Sequence, residues 1–188
     1  MLYEVIIDSS ETPNKCTIAP LAHRPDFRLF RVKGSGALGP LNSPILLHHE
    51  GQCLTTIHKS FSEISGIATV DCVWKRLEGL LKRIAEPRPT FARIPDGFET
   101  AYPRRSENNS DPTGGLATIE AIFVAAALLG KWDVSLLSEY YFGRKFIELN
   151  AKQFLDLGVH QASNLEALPM PSPRSRNSKQ RRHARGKY

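Results

Sequence analysis

Residues 69–77, TVDCVWKRL, bring a carboxylate (Asp71), a thiol (Cys72) and an indole (Trp74) within four positions of one another. They sit where a strand-like run gives way to a helix-like one. A carboxylate at such a seam can hold a cation or take a proton, and an aromatic face attracts cations. The alternative is structural: Asp71 caps the helix that begins near Trp74, and Trp74 packs in the core. Cys72 reads as a core thiol, because nothing beside it marks a reactive thiolate. His48, His49, Cys53 and His58 form a second group, but their spacing fits no zinc pattern and no metal is expected. GSGALG (34–39) spells GxGxxG, yet Pro40 follows at once and no helix can open there, so these are loop glycines. Gly114 and Gly115 free the backbone to approach a ligand, and the N–H groups that follow can hold a carboxylate. No Ser-His-Asp arrangement or phosphate loop appears.

The periodicity predicts the elements that must position these groups. Strands are expected over 2–8, 27–33, 43–49, 66–73 and 90–95. A helix over 74–86 places Leu77, Leu80, Leu81 and Ile84 on one side, with Pro87 as its stop. A second helix, 118–130, is apolar nearly all round and should be buried. Thr118 suits its cap, Glu120 its positive end and Gly130 its stop. Residues 133–158 read as helix, interrupted near Gly143. Strands that alternate with helices favour an α/β fold. In open α/β sheets ligands bind beyond the carboxyl ends of strands. Residues 46–49, 70–74 and 113–118 have that character, and they form a pocket only if they converge.

The net charge of +6 is concentrated at one end of the 188-residue chain. Residues 171–188 carry seven Lys and Arg and no acid; subtracting seven from +6 leaves −1 for the first 170 residues. That tail has almost no apolar residues to offset its ordering entropy, so it is expected to be disordered. A flexible polycation favours a polyanion, and RNA is the abundant one. Three cysteines without a CxxC pair suit a reducing cytoplasm. The first residues do not form a signal peptide, and no run reaches the ~18 apolar residues of a membrane span.

NKCTIAPL (14–21), SPILLHHEGQCLTT (43–56), GIATVDCVWKRLE (66–78), ARIP (92–95), GGLATIEAIFVAAALLG (114–130) and FGRKFIELN (142–150) occur in a telling order. In that order they resemble the ribosome-maturation aminocarboxypropyltransferases, which modify a pseudouridine of small-subunit rRNA. The likeness covers roughly residues 1–158. The related DTW-domain enzymes act on tRNA uridine. YPRR (102–105), followed by GGLATIEA, is closer to that branch, and KCT with FIELN is closer to the rRNA branch.

The resemblance implies a SPOUT-like α/β fold with a C-terminal trefoil knot. It divides the chain into a small N-terminal α/β part (1–42), a knotted domain that binds S-adenosylmethionine (SAM) (43–160), and a linker with the disordered basic tail (161–188). It implies SAM as donor co-substrate, bound by Thr17, Leu47, Asp71, Trp74, Ile94, Leu116, Ala117 and Thr118, with Asp71 as the catalytic candidate. It also implies RNA as partner, a cytoplasmic monomer, and no metal. Arg104 and Arg105 are RNA-binding candidates because guanidinium groups fork onto phosphates. Arg28, Arg31 and Lys33 could extend a basic face, and Arg181, Arg182 and Arg185 in the tail would add affinity without sequence specificity. The expected reaction moves SAM's 3-amino-3-carboxypropyl group to a ring nitrogen of uridine or pseudouridine. Three competing readings remain: the same chemistry on tRNA, a SPOUT methyltransferase, and a non-catalytic ribosome-assembly factor.

Overall fold

LYEVIID has no polar face to show to water apart from Glu4 and Asp8, and it forms a strand covered on both sides. This is β1 (Leu2–Asp8), where every residue after Leu2 is buried. The computed structural model describes residues 1–10, 16–57, 64–103 and 115–159. Four further strands join β1: β2 (Phe27–Val32), β3 (Ile45–Cys53), β4 (Gly66–Asp71) and β5 (Thr90–Arg93). They form one sheet in the order β2-β1-β4-β3-β5. Every pairing is parallel, so all five carboxyl ends lie on one rim. The sheet runs across the expected division at residue 42, because β1 pairs with both β2 and β4.

Side-chain alternation gives each face its own core. Tyr3, Val5, Ile7, Ile45 and Ile67 face α2 (Thr118–Leu128), α3 (Gly143–Leu149) and α4 (Ala151–Asp156). Ile6, Val32, Leu46 and Ala68 face Leu77, Leu80 and Leu81 of α1 (Leu77–Leu81), together with Ile84. α2 is buried along most of its length, as its composition predicts. Glu4 is fully buried on the second face, where its carboxylate accepts the N–H groups of Asn42 and Ser43 and so fixes the entry to β3.

Three helical expectations need correction. The helix over 74–86 is a single 3-10 turn, Trp74–Arg76, followed by only five residues of α1. Leu38 ends it: its N–H donates to the Arg83 carbonyl, and its own carbonyl accepts the Ala85 N–H. The stretch 133–158 is a 3-10 turn, Val134–Leu137, followed by α3 and α4. Gly143 packs so closely on Leu137 that a Cβ would lie 2.9 Å from the Leu137 Cβ. Asn150 then separates α3 from α4, its amide donating to the carbonyls of Phe146 and Glu99. At α2 the cap is Ala117 rather than Thr118.

The GSGALG segment is a loop. Arg83 donates to the carbonyls of Gly34 and Gly36 at 2.8 and 2.7 Å, so this turn gathers a cation with its carbonyls. Among the described residues no helix is long and apolar enough to cross a membrane. Arg28, Arg31 and Lys33 are exposed on or just beyond β2, an edge strand of the sheet.

Candidate functional site

The chain leaves β1 toward β2 on one side of the sheet and leaves β4 toward β5 on the other. Neighbouring strands whose connections diverge in this way open a crevice at their carboxyl ends. A cleft of about 910 Å³ lies there. Thr17 reaches it from the β1–β2 connection, Leu47 from β3, Asp71 and Trp74 from the end of β4, and Ile94 from the end of β5. Leu116, Ala117 and Thr118 reach it from the start of α2. The eight residues of the expected donor pocket therefore line one cavity. Arg104 and Arg105, the tail arginines Arg181, Arg182 and Arg185, Gly114, His58 and the division at 161 lie outside the described residues.

Asp71 does not cap the turn at Trp74, because the cap residue is Val73 and no side chain bonds there. Its carboxylate instead joins three segments. Oδ1 accepts the Thr118 hydroxyl at 2.8 Å, and Oδ2 accepts the Cys16 thiol at 2.9 Å. Thr17 Oγ1 takes a long contact from the Ile119 N–H at 3.4 Å, beside the same helix end. Thr118, expected as a cap, thus spends its hydroxyl on the strand end. Burial and the adjacent Asp71 carboxylate push the Cys16 thiol up to about 12, so Cys16 is a proton donor here and no nucleophile. Trp74 is half-buried; it packs on the α1 side of the core and also lines the cleft.

The last residue of β5 and the loop after it form another wall. Arg93, Pro95, Asp96, Gly97, Phe98 and Tyr102 line the cleft. Three side chains hold this loop from below. Asn150 accepts the Glu99 N–H at 2.7 Å and donates back to its carbonyl at 2.8 Å. Gln153 donates to the Asp96 carbonyl at 3.0 Å. Glu120, fully buried, accepts from the Thr100 hydroxyl, the Ala101 N–H, the Ala117 N–H and the Tyr140 hydroxyl, all between 2.6 and 2.9 Å. One carboxylate thus ties the 100–102 wall to the 116–118 wall, a role well beyond the dipole effect expected for it.

Sequence reasoning missed one feature of the site. β3 does not end at 49. Leu47 and Gln52 both stand opposite Ala92, and residues 48–51 bulge out between them. Gly51 allows this because its α-carbon rests on β5: a Cβ would lie 2.4 Å from the Ala92 nitrogen. The bulge turns His48 and His49 toward the cleft. His48 is buried and stacks on Phe91 with ring centroids 4.7 Å apart. Its Nδ1 accepts the Glu50 N–H at 3.2 Å, so the neutral ring carries its proton on Nε2, 3.5 Å from a Glu78 carboxylate oxygen. Donor atoms of His48, His49 and Glu50 lie within 4.8 Å of one another. A cation would need the lone pair on Nε2, which the Nδ1 contact removes in the neutral ring. His49 stands edge-on to Trp74, with centroids 5.7 Å apart. The sequence signals for the bulge were two polar rings and a glycine at the end of an apolar strand.

No family model matches the chain, and no curated protein matches it. Among solved structures it is similar to that of the SAM-dependent rRNA:acp-transferase Tsr3 from Vulcanisaeta distributa. The two are 22% identical, with 84% of this chain and 83% of that one covered and a TM-score of 0.56. A likeness at that identity is one of fold: a mixed α/β chain around a five-stranded parallel sheet.

Proposed function

We propose that this chain transfers the 3-amino-3-carboxypropyl group of SAM to a ring nitrogen of uridine or pseudouridine in ribosomal RNA. The observation that carries this reading is the convergence of Thr17, Leu47, Asp71, Trp74, Ile94 and 116–118 on one cleft at the carboxyl rim of the sheet. The Tsr3 structure, whose fold the chain shares, belongs to an enzyme of that description. The cleft volume suits a ligand of SAM's size with part of a nucleobase.

The acceptor nitrogen loses its proton and attacks Cγ of the donor. The Cγ–S bond breaks, its electron pair stays on sulfur, and methylthioadenosine leaves as a neutral thioether. A sulfonium activates three carbons, so the protein's task is to choose which one faces the acceptor. That is catalysis by positioning. Trp74 offers its indole to the methyl-sulfonium end, and Asp71 sets a carboxylate near the cation. Asp71 already accepts bonds on both oxygens, which favours holding the pocket over taking the acceptor's proton. The same reading takes 43–160 as a SAM-binding unit with a knotted path and 1–42 as its smaller α/β companion. RNA is then the partner and the chain acts as a cytoplasmic monomer.

Nucleoside mass spectrometry of rRNA and tRNA from cells lacking this protein tests the proposal. The expected result is loss of one aminocarboxypropyl-modified nucleoside from rRNA. Loss from tRNA instead would change the acceptor, and loss of a methyl group alone would replace the reaction. Unchanged RNA, together with no SAM binding by calorimetry, would refute the enzyme.

A further inference from the structure

The proposed displacement needs a group that takes the acceptor's ring proton, and the ionisable side chains of the cleft are not equally free to do it. Both oxygens of Asp71 receive donors, the Cys16 thiol and the Thr118 hydroxyl. The Asp96 side chain is fully exposed to solvent, its carboxylate 3.6 Å from the Arg93 guanidinium, and so stands in water rather than against the pocket wall. His48 is enclosed, with Nδ1 held by the Glu50 N–H and Nε2 directed at Glu78. His49 differs. Its side chain is 53% exposed, and among the described residues no hydrogen bond to it is formed. It lines the cleft on the bulge of β3, edge-on to the indole of Trp74.

Resting on the proposed function, we infer that His49 is the general base of the reaction. The imidazole accepts the N–H proton of the uracil ring as the nitrogen lone pair forms the bond to Cγ. The Cγ–S electrons leave on sulfur, and the imidazolium later gives its proton to solvent. Imidazole is the side chain best suited to such a transfer near neutral pH. The contact with Trp74 places it within about one ring's width of the wall assigned to the sulfonium. Glu50, whose Oε1 lies 3.9 Å from His49 Nε2, stands ready to pair with the imidazolium. The other charged or titratable groups around it are His48, with ring centroids 4.4 Å away, Glu78 behind His48, and Asp71, Cys72, Arg93, Asp96 and Tyr102 along the cleft. Asp71 is then a positioning group that holds the end of β4 against the start of α2.

The test uses the full chain, carboxypropyl-labelled SAM and small-subunit rRNA from cells lacking the protein. Transfer is followed across pH for wild type, His49→Gln, His49→Ala and Asp71→Asn, and SAM affinity is measured for each by calorimetry. A general base contributes about 10²–10⁴-fold. His49→Gln is expected to lower kcat at least about 100-fold, with SAM affinity within about threefold of wild type. The acidic limb of the kcat profile should disappear with it, and added imidazole should restore transfer to His49→Ala. Asp71→Asn should weaken SAM binding while the limb remains. His49→Gln with near-wild-type kcat, or with the limb intact, overturns the role of His49 and leaves the proposed function standing. A wild-type chain that binds no SAM or transfers nothing overturns the proposed function, and the base assignment falls with it.

Discussion

Glu120→Gln keeps the shape of the buried hub and removes one acceptor oxygen. Four donors converge on the native carboxylate, two on each oxygen. Each oxygen serves one hydroxyl and one backbone N–H: Tyr140 and Ala101 on Oε1, Thr100 and Ala117 on Oε2. A hydroxyl can turn its proton away from an incoming NH₂, whereas a backbone N–H cannot. Whichever way the glutamine amide lies, one buried N–H therefore faces a donor. An orphaned buried donor costs about 1–3 kcal/mol, and exchanging charged for neutral acceptor bonds adds about 1 kcal/mol. Lower desolvation of the neutral amide offsets part of this, so the expected loss is about 2–3 kcal/mol. With a urea m-value of about 2 kcal/mol/M, the unfolding midpoint falls by about 1–1.5 M. Glu120→Ala orphans both N–H groups and should fall further. Because Tyr102 and 116–117 line the cleft, SAM affinity should drop about tenfold if only ~1.4 kcal/mol of the loss appears as a displaced wall. A midpoint within ~0.3 M of wild type for the glutamine variant would refute this account, since a surface carboxylate loses no more than that.

Gly51→Ala should cost about 1–3 kcal/mol in urea unfolding, because the added Cβ meets the β5 backbone at Ala92 and Phe91, which cannot swing aside as a side chain can. Cys16 has a folded value of about 12 against an ordinary 9.0. Its stabilising contribution is thus complete below about pH 9 and is lost as pH rises toward 12. Peptide mapping after iodoacetamide at pH 8 should find Cys16 unmodified in the folded chain, and Cys16→Ala should show shallower alkaline destabilisation between those two values. Trp74→Ala should weaken SAM binding about 10–100-fold by calorimetry while the chain stays folded, in line with loss of an aromatic contact surface; unchanged affinity would remove the pocket assignment. Deleting 171–188 removes seven positive charges and should reduce the salt slope of RNA binding by up to about 5, at roughly 0.7 per charge on single strands, with SAM affinity unchanged.

The strands were legible because their signal is local. LYEVIID can only be a covered strand, and TVDCVW announces a strand end by exchanging β-branched residues for an acid and an indole. α2 was legible for the same reason, being too apolar to lie anywhere but inside. The site's shape was not local. The bulge at 48–51 exists because Leu47 and Gln52 compete for the same partner, Ala92, and that partner lies forty residues on along the chain. The early end of α1 is set by Leu38, which claims the backbone of 83 and 85 from the β2–β3 connection on the same sheet face. Glu120 looked like a dipole partner because its four donors are contributed by residues 100, 101, 117 and 140, which periodicity does not connect. Asp71 stands at the end of β4, but its partners, Cys16 and Thr118, lie 55 and 47 residues away.

These long-range contacts share a purpose that the parallel topology makes necessary. A parallel sheet offers a rim of strand ends and nothing to close it, so the cavity must be built by tying the connections together above that rim. Asp71 ties the end of β4 to the start of α2 and to the β1–β2 connection. Glu120 ties α2 to the loop after β5, and Asn150 and Gln153 tie that loop to α3 and α4. Each tie joins segments that supply different walls of the cleft. The proposed chemistry depends on this, because choosing Cγ over the methyl carbon requires that several walls keep fixed positions at once. A sulfonium held by one wall alone could turn any of its three activated carbons toward the acceptor. The chain places Trp74, Leu77 and Ala121 in the lining as apolar surface and Arg93 and Asp96 as polar surface. A methyl group belongs against the first set and a zwitterionic aminocarboxypropyl arm against the second. Regiochemistry would then be decided by the carboxylates of Asp71 and Glu120 that lock the walls together, and loosening Glu120 should raise methyl transfer relative to aminocarboxypropyl transfer before it abolishes either.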